Sequence, residues 1–166
     1  AQLSGAGTKP SFRVSVHYEI YDGIPALSKW ITVENLVDSK MTIDCFNAET
    51  LSVVEYENQV ETRDGIEPLA PKNLHVETDM AFGGFSHRNA NRHTVHWLPD
   101  ARYRSQVNYR RVQPCLLKVE PTFGPSQDLV AGGVFESFRI FEMVYDSEER
   151  ERRGLALRRF YRILAP

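Results

Sequence analysis

Residues 12–36 read FRVSVHYEIYDGIPALSKWITVENL, and this stretch decides the fold class. Apolar and polar side chains alternate through residues 12–20, the period of two expected of a strand with one buried face. Residues 22–25, DGIP, then supply a turn, because glycine tolerates positive φ and proline cannot donate to a strand ladder. The pattern predicts an antiparallel hairpin in which residues 12–20 bury one apolar face. The members of that face are Phe12, Val14, Val16, Tyr18 and Ile20.

Short apolar segments separated by turn residues continue along the chain. Strands are predicted at residues 41–46, 51–56 and 74–80. Residues 134–145, VFESFRIFEMVY, are apolar on both faces, which predicts a central, well-covered strand. Many short strands at this spacing predict a mostly β protein built from antiparallel sheets.

The period changes in residues 146–166, which read DSEERERRGLALRRFYRILAP. Leu157, Phe160, Tyr161 and Leu164 are spaced i, i+3, i+4, i+7, which predicts an α-helix with one apolar stripe. We expect the stripe to be buried, either on the chain's own sheets or against a second domain. We therefore divide the chain into a β-domain, residues 1–145, and a C-terminal helix, residues 146–166.

Composition limits the classes of function. With 166 residues, 42% of them hydrophobic, the chain is long enough for one core. A net charge of -2 gives no electrostatic case for nucleic acid or an anionic membrane. No apolar run approaches the roughly 20 residues of a membrane span, and nothing indicates a compartment. The two cysteines, Cys45 and Cys115, lie in apolar strand-like runs and are predicted to be buried thiols.

The residues alone predict no catalytic centre. His93 and His96 lie near Trp97, but in a strand they would point to opposite faces and could not share one metal ion. The glycines of residues 82–85, FGGF, lack the lysine of a phosphate loop. No serine or cysteine occupies a nucleophile motif. We therefore predict no catalytic residue, no metal and no cofactor.

Two stretches carry a resemblance to a known family. Residues 14–36 resemble a strand pair of the N-terminal β-supersandwich domain of melibiase-type α-galactosidases, the family 36 glycoside hydrolases. The family pattern closes on a glycine shortly after the asparagine, and this glycine is replaced here, because Asn35 is followed by Leu36 and Val37. Residues 135–166 resemble the last strand of that domain and its linker helix. The resemblance implies a galactose mutarotase-like supersandwich, with residues 146–166 leading to a catalytic (β/α)-barrel of the same polypeptide that holds the catalytic carboxylates.

The same resemblance suggests a contact site in the loop of residues 82–97. Trp97 offers a stacking face for a sugar, and the neighbouring polar side chains offer hydrogen-bond partners for sugar hydroxyls or for a neighbouring domain. The predicted contact residues are His87, Arg88, Asn89, Asn91, His96 and Trp97.

Three functions follow from this resemblance. The favoured one is a non-catalytic domain that supports a barrel, an oligomer or the rim of a sugar pocket. The first alternative is an independent carbohydrate-binding module, which needs exposed aromatic side chains on one face. The second is an aldose epimerase, which needs a histidine acid and a glutamate base. The predicted partners are the barrel domain, carbohydrate and a second copy of the chain.

Overall fold

The computed structural model describes residues 9–56, 71–80, 91–100, 102 and 112–164, and these form ten strands and one helix. The predicted mostly β, antiparallel architecture with a C-terminal helix is confirmed. In the described part of the chain, no helix is both long enough and apolar enough to cross a membrane. The elements are β1 Phe12–Ile20, β2 Ala26–Asn35, β3 Met41–Cys45, β4 Glu49–Tyr56, β5 Leu74–Thr78, β6 Val95–Pro99, β7 Val112–Val119, β8 Pro125–Leu129, β9 Val134–Glu136, β10 Ile140–Val144 and α1 Arg150–Leu164.

The largest sheet, here called the main sheet, has the strand order β1-β2-β10-β5, with β9 also paired to β2. The predicted hairpin is confirmed, because β1 and β2 pair in unbroken register from Phe12 opposite Asn35 to Ile20 opposite Leu27. Gly23 has a φ of 78°, a left-handed conformation that glycine adopts without a steric penalty. The hairpin therefore forms from local turn chemistry and a matched pair of strands.

Residues 134–145 form two strands rather than the one predicted. Phe135 lies opposite Val33 of β2, whereas Ile140 lies opposite Lys29, so the register slips by one residue between β9 and β10. This is a β-bulge, and the hydroxyl of Ser137 inside it accepts a hydrogen bond from the Ile31 N–H at 3.0 Å. The extra residue puts Phe135 and Ile140 on one face although they are five positions apart. The bulge explains why the segment looks apolar on both faces.

A second sheet, β4-β7-β6, packs against one face of the main sheet, here called the inner face. Val76 and Ile140 of the main sheet meet Trp97, Leu117 and Val119 of the second sheet in a core of buried side chains. A short pair, β3-β8, extends this core through a smaller cluster that includes Val33, Leu129 and Phe135. The hydrophobic core thus lies between the sheets.

The apolar side of β1 is not covered by this core, contrary to the prediction. Its register with β2 places the even-numbered side chains on the inner face of the main sheet. Those side chains nevertheless remain between 42% and 82% exposed, because the second sheet does not extend over them. We call this surface the β1 apolar face. Its members are Phe12, Val14, Val16, Tyr18 and Ile20.

Helix α1 packs on the opposite, outer face of the main sheet. Phe160 is 1% exposed and contacts a cluster that includes Ala26 and Met143, with Leu157 and Leu164 packed around it. Tyr161 is partly exposed, and its hydroxyl donates a hydrogen bond to Glu77. Of the two expectations for the stripe, its packing on the chain's own sheet is the one observed.

Candidate functional site

Of the six predicted contact residues, three (His87, Arg88 and Asn89) lie outside the described part of the chain. Asn91 has a structural role: its side-chain oxygen accepts the Thr78 N–H at 2.9 Å, and its carbonyl accepts the Val95 N–H at 2.9 Å. These bonds tie the start of β6 to the end of β5. The amide of Asn91 is therefore engaged in holding the fold together.

Trp97 cannot serve as the predicted stacking platform. It lies in β6, is only 5% exposed and belongs to the core between the sheets. His96 precedes it in the strand and is half-buried, and alternation directs its side chain to the opposite face of the second sheet. The structure therefore does not bring these two side chains together at one surface. The prediction failed because an aromatic residue in a short strand has the same sequence signal whether it stacks on a sugar or fills a core.

The structure shows instead a groove on the inner face of the main sheet, at the end where β1 and β10 finish. It consists of two adjoining hollows of about 340 and 310 Å³, which share Leu74, Glu142 and Val144 as lining residues. We call this the inner groove. One hollow is completed mainly by Leu51, Val53, Val54 and Asn73 of the β4 side, and the other by Ile20, Ile24, Pro25 and Leu27 of the hairpin.

Glu142 is the unusual residue of the inner groove. Its Oε1 atom is buried and has no hydrogen-bond partner among the residues that the structure describes. Burial raises the pKa of the Glu142 carboxyl, the nearby negative charge of Glu49 raises it further, and Lys29 opposes both effects. Lys29 itself is paired with Glu49, with its Nζ 2.5 Å from Oε2, so it bridges the main sheet to the start of β4. The groove therefore contains a carboxyl group that has a reduced tendency to ionise.

The carboxylate of Glu55 is fully buried, and its hydrogen-bonding capacity is met. Its two oxygens accept backbone N–H groups from Lys72, Asn73 and Leu74 at distances of 2.9 to 3.1 Å. Glu55 therefore anchors the start of β5 to β4. Glu142 differs from Glu55, because it is only half-buried as a residue and its one buried oxygen lacks a partner among the described residues.

The inner groove and the β1 apolar face are continuous at Ile20, which belongs to both. Together they form an apolar surface that runs along the hairpin and ends at a carboxyl group. Glu142 was not among the residues predicted from the sequence. The signal was an acid within the apolar run of residues 140–144, IFEMV.

Among the described residues, the two histidines of the main sheet do not lie beside Glu142. His17 and His75 lie on the outer face, because His17 is opposite Trp30 and His75 is opposite Met143. Glu142 points to the inner face. His17 is also occupied, since it stacks on Trp30 at 5.0 Å and bonds the Thr32 hydroxyl. Across the described ranges, no group of three His, Cys, Asp or Glu side chains could hold a metal ion.

The fold and the groove define an antiparallel β protein with a docked C-terminal helix and an uncovered apolar surface. No protein-family model, curated protein or solved structure matches the chain.

Proposed function

We propose that the chain is a non-catalytic β-supersandwich domain, galactose mutarotase-like in fold, of an α-galactosidase-like glycoside hydrolase. In this proposal its β1 apolar face and inner groove dock against the catalytic (β/α)-barrel of the same polypeptide. The observation that carries the docking role is the β1 apolar face, five neighbouring apolar side chains that are 42% to 82% exposed. Contiguous apolar surface of this kind is typical of an interface.

The position of Glu142 supports a covered groove. A carboxyl group with an unpartnered buried oxygen gains from a hydrogen-bond donor brought by another surface. The identity of the docking partner rests on the resemblance of residues 14–36 and 135–166 to the family 36 domain.

Helix α1 has two roles in the proposal. Its stripe holds it on the outer face through Phe160, and its C-terminal end would lead toward the barrel. The packed stripe supports a fixed exit direction for the chain. It does not support the alternative in which the stripe is exposed for contact with a second domain.

A footprinting experiment on the encoded full-length polypeptide tests the docking. Hydroxyl-radical labelling would compare Tyr18 in the 166-residue chain and in the full-length protein, with Phe123 as the control. Phe123 is 81% exposed, lies between β7 and β8, and is expected to stay reactive in both. We expect protection of Tyr18 only in the full-length protein, independent of its concentration.

Two outcomes would contradict the proposal. One is a coding sequence that lacks a strand–helix repeat pattern beyond residue 166, since the barrel would then be missing. The other is equal labelling of Tyr18 in the two proteins.

An independent carbohydrate-binding module is the second candidate, and one observation favours it. Phe12 and Tyr18 are exposed aromatic side chains on the same face of β1, six residues and about 20 Å apart. Calorimetric titration with galactosides and longer oligosaccharides tests this candidate. Heat of binding that is measured for the wild type and lost in Tyr18→Ala would favour the carbohydrate-binding module over the docking domain. No heat of binding with any of these sugars would exclude the module.

A further inference from the structure

The outer edge of β1 has backbone groups available for pairing. β1 is the terminal strand of the main sheet, and within the described residues only β2 pairs with it. The Leu36 N–H donates to the Ser11 carbonyl at 3.0 Å, and the Tyr21 N–H donates to the Ala26 carbonyl at 3.2 Å. The odd-numbered residues therefore direct their backbone groups to β2. Because this direction alternates in an antiparallel strand, the even-numbered residues direct theirs to the free edge.

Among the described residues, this edge lacks the bulge, the proline, the glycine and the lysine that often prevent strands from pairing, and its charges are limited to Arg13 and Glu19. β1 is nine residues long, matches β2 without a bulge and contains no proline, glycine or lysine. Exposed edge strands normally carry such features because an unprotected edge recruits another strand.

We propose that two copies of the chain pair through this edge as antiparallel strands, with Val16 of one copy opposite Val16 of the other. The sequence of β1, FRVSVHYEI, is self-complementary about its central residue. In this register Phe12 faces Ile20, Arg13 faces Glu19, Val14 faces Tyr18 and Ser15 faces His17.

Charge selects this register over its neighbours. Arg13 and Glu19 have side chains that are 64% and 47% exposed, and each already pairs within its own chain, with Glu34 and Arg139 respectively. In the proposed dimer Arg13 lies between Glu34 and the Glu19 of the second copy, so both contacts are attractive. A shift by one pair in either direction centres the axis on Ser15 or His17 and loses the Arg13–Glu19 pair.

Hydrogen-bond geometry agrees with the same register. Val16 directs its N–H and carbonyl to the free edge, so two copies of Val16 exchange both bonds across the axis. The pairs of residues 12 with 20 and 14 with 18 do likewise. The dimer would join two main sheets edge to edge and place two β1 apolar faces side by side.

A register-specific disulfide tests the pairing. Two Val16→Cys side chains would face each other with Cα atoms about 5.5 Å apart, a distance that suits a disulfide. Both cysteine variants carry Cys45→Ser, which removes the exposed native thiol. The control is Ile20→Cys, because in this register its two copies are about 27 Å apart. We expect covalent dimer from the first variant only, and equal yields or no dimer would overturn the proposal.

Sedimentation of the 166-residue chain gives a second, independent readout. We expect a concentration-dependent dimer in the wild type and a monomer in Val16→Pro. The N–H of residue 16 is directed to the free edge, so proline at this position removes no hydrogen bond to β2, and we expect the pairing with β2 to be kept. An unchanged near-ultraviolet spectrum would show that the variant is folded. A wild type that stays monomeric at every concentration, or a folded Val16→Pro dimer, would refute the pairing.

Charge exchange separates the proposed register from any other edge contact. Arg13→Glu and Glu19→Arg are each expected to weaken self-association by about tenfold. Mixing the two variants restores opposite charges at both ends and should give a heterodimer. A mixture no tighter than either variant alone would contradict the register. These experiments use the 166-residue chain, so their failure leaves the docking of a barrel domain untouched.

Discussion

Strand β1 and helix α1 carry comparable apolar surfaces but use them differently. Phe160 of α1 is 1% exposed beneath the helix, whereas Phe12 of β1 is 52% exposed at the edge of the main sheet. The helix stripe meets Ala26 and Met143 on the outer face. The β1 apolar face has no such neighbour among the described residues. The comparison indicates that α1 contributes to the stability of this chain, while β1 is suited to contacts with something else.

Identical alanine substitutions in the two regions should show the largest difference in their contributions to stability. Phe160→Ala empties a buried site and should lower the free energy of unfolding by about 3–5 kcal/mol. Phe12→Ala removes an exposed side chain and should cost less than about 1 kcal/mol. Urea unfolding followed by circular dichroism measures both. Equal losses in the free energy of unfolding would mean that the two apolar surfaces contribute equally to the stability of the chain.

These regions also show what sequence could and could not predict. The period of two and the i, i+3, i+4, i+7 spacing correctly assigned the strand, the helix and the residues that share a face. Neither period states what covers that face, so the exposure of Val16 and the packing of Phe160 depended on the position of the second sheet. Trp97 was misjudged for the same reason. Glu142 was missed because its isolation arises from the pairing of β10 with β2 and β5.

The comparison extends to buried carboxylates, for which we expect effects of opposite sign. Glu55 is fully bonded, so Glu55→Gln should destabilise the fold by about 1–3 kcal/mol. Glu142 has a raised pKa in the fold, so the folded state binds its proton more tightly than the unfolded state. Its contribution to stability is complete below its ordinary value of 4.5 and is lost as pH rises through the raised pKa.

Glu142→Gln should therefore be more stable than the wild type at neutral pH, where Glu142 is charged. This advantage of the variant should shrink in acid, where Glu142 is protonated. Urea unfolding across that pH range measures the difference between the two proteins, which cancels the titration of other carboxylates. A difference that does not change with pH would show that the inner groove is open enough to solvate Glu142.

Paired hydroxyl deletions give a smaller test of the same comparison. Tyr161→Phe removes the hydrogen bond to Glu77 and should cost about 1 kcal/mol. Tyr18→Phe is the matched control on β1, because its hydroxyl has no hydrogen bond to the described residues and its loss should be nearly neutral. Chemical denaturation measures both variants. A larger cost for Tyr18→Phe would place the polar anchoring in β1 rather than α1.

The two cysteines report coverage without any substitution. Cys45 is exposed in β3, contrary to the prediction of a buried thiol, and Cys115 is fully buried between the sheets. Burial raises the pKa of Cys115 to about 11, and the negative charge of Glu55 adds to the effect. A thiol reagent at mildly alkaline pH should therefore label one cysteine in the native protein and the second only in denaturant. Mass spectrometry of the labelled peptides identifies which one reacts. Cys115 lies beside Leu117 and Val119, so rapid labelling of both thiols would mean that the two sheets separate readily. The exposure of the β1 apolar face would then reflect a loosely packed core and would give no support to a partner that binds this face.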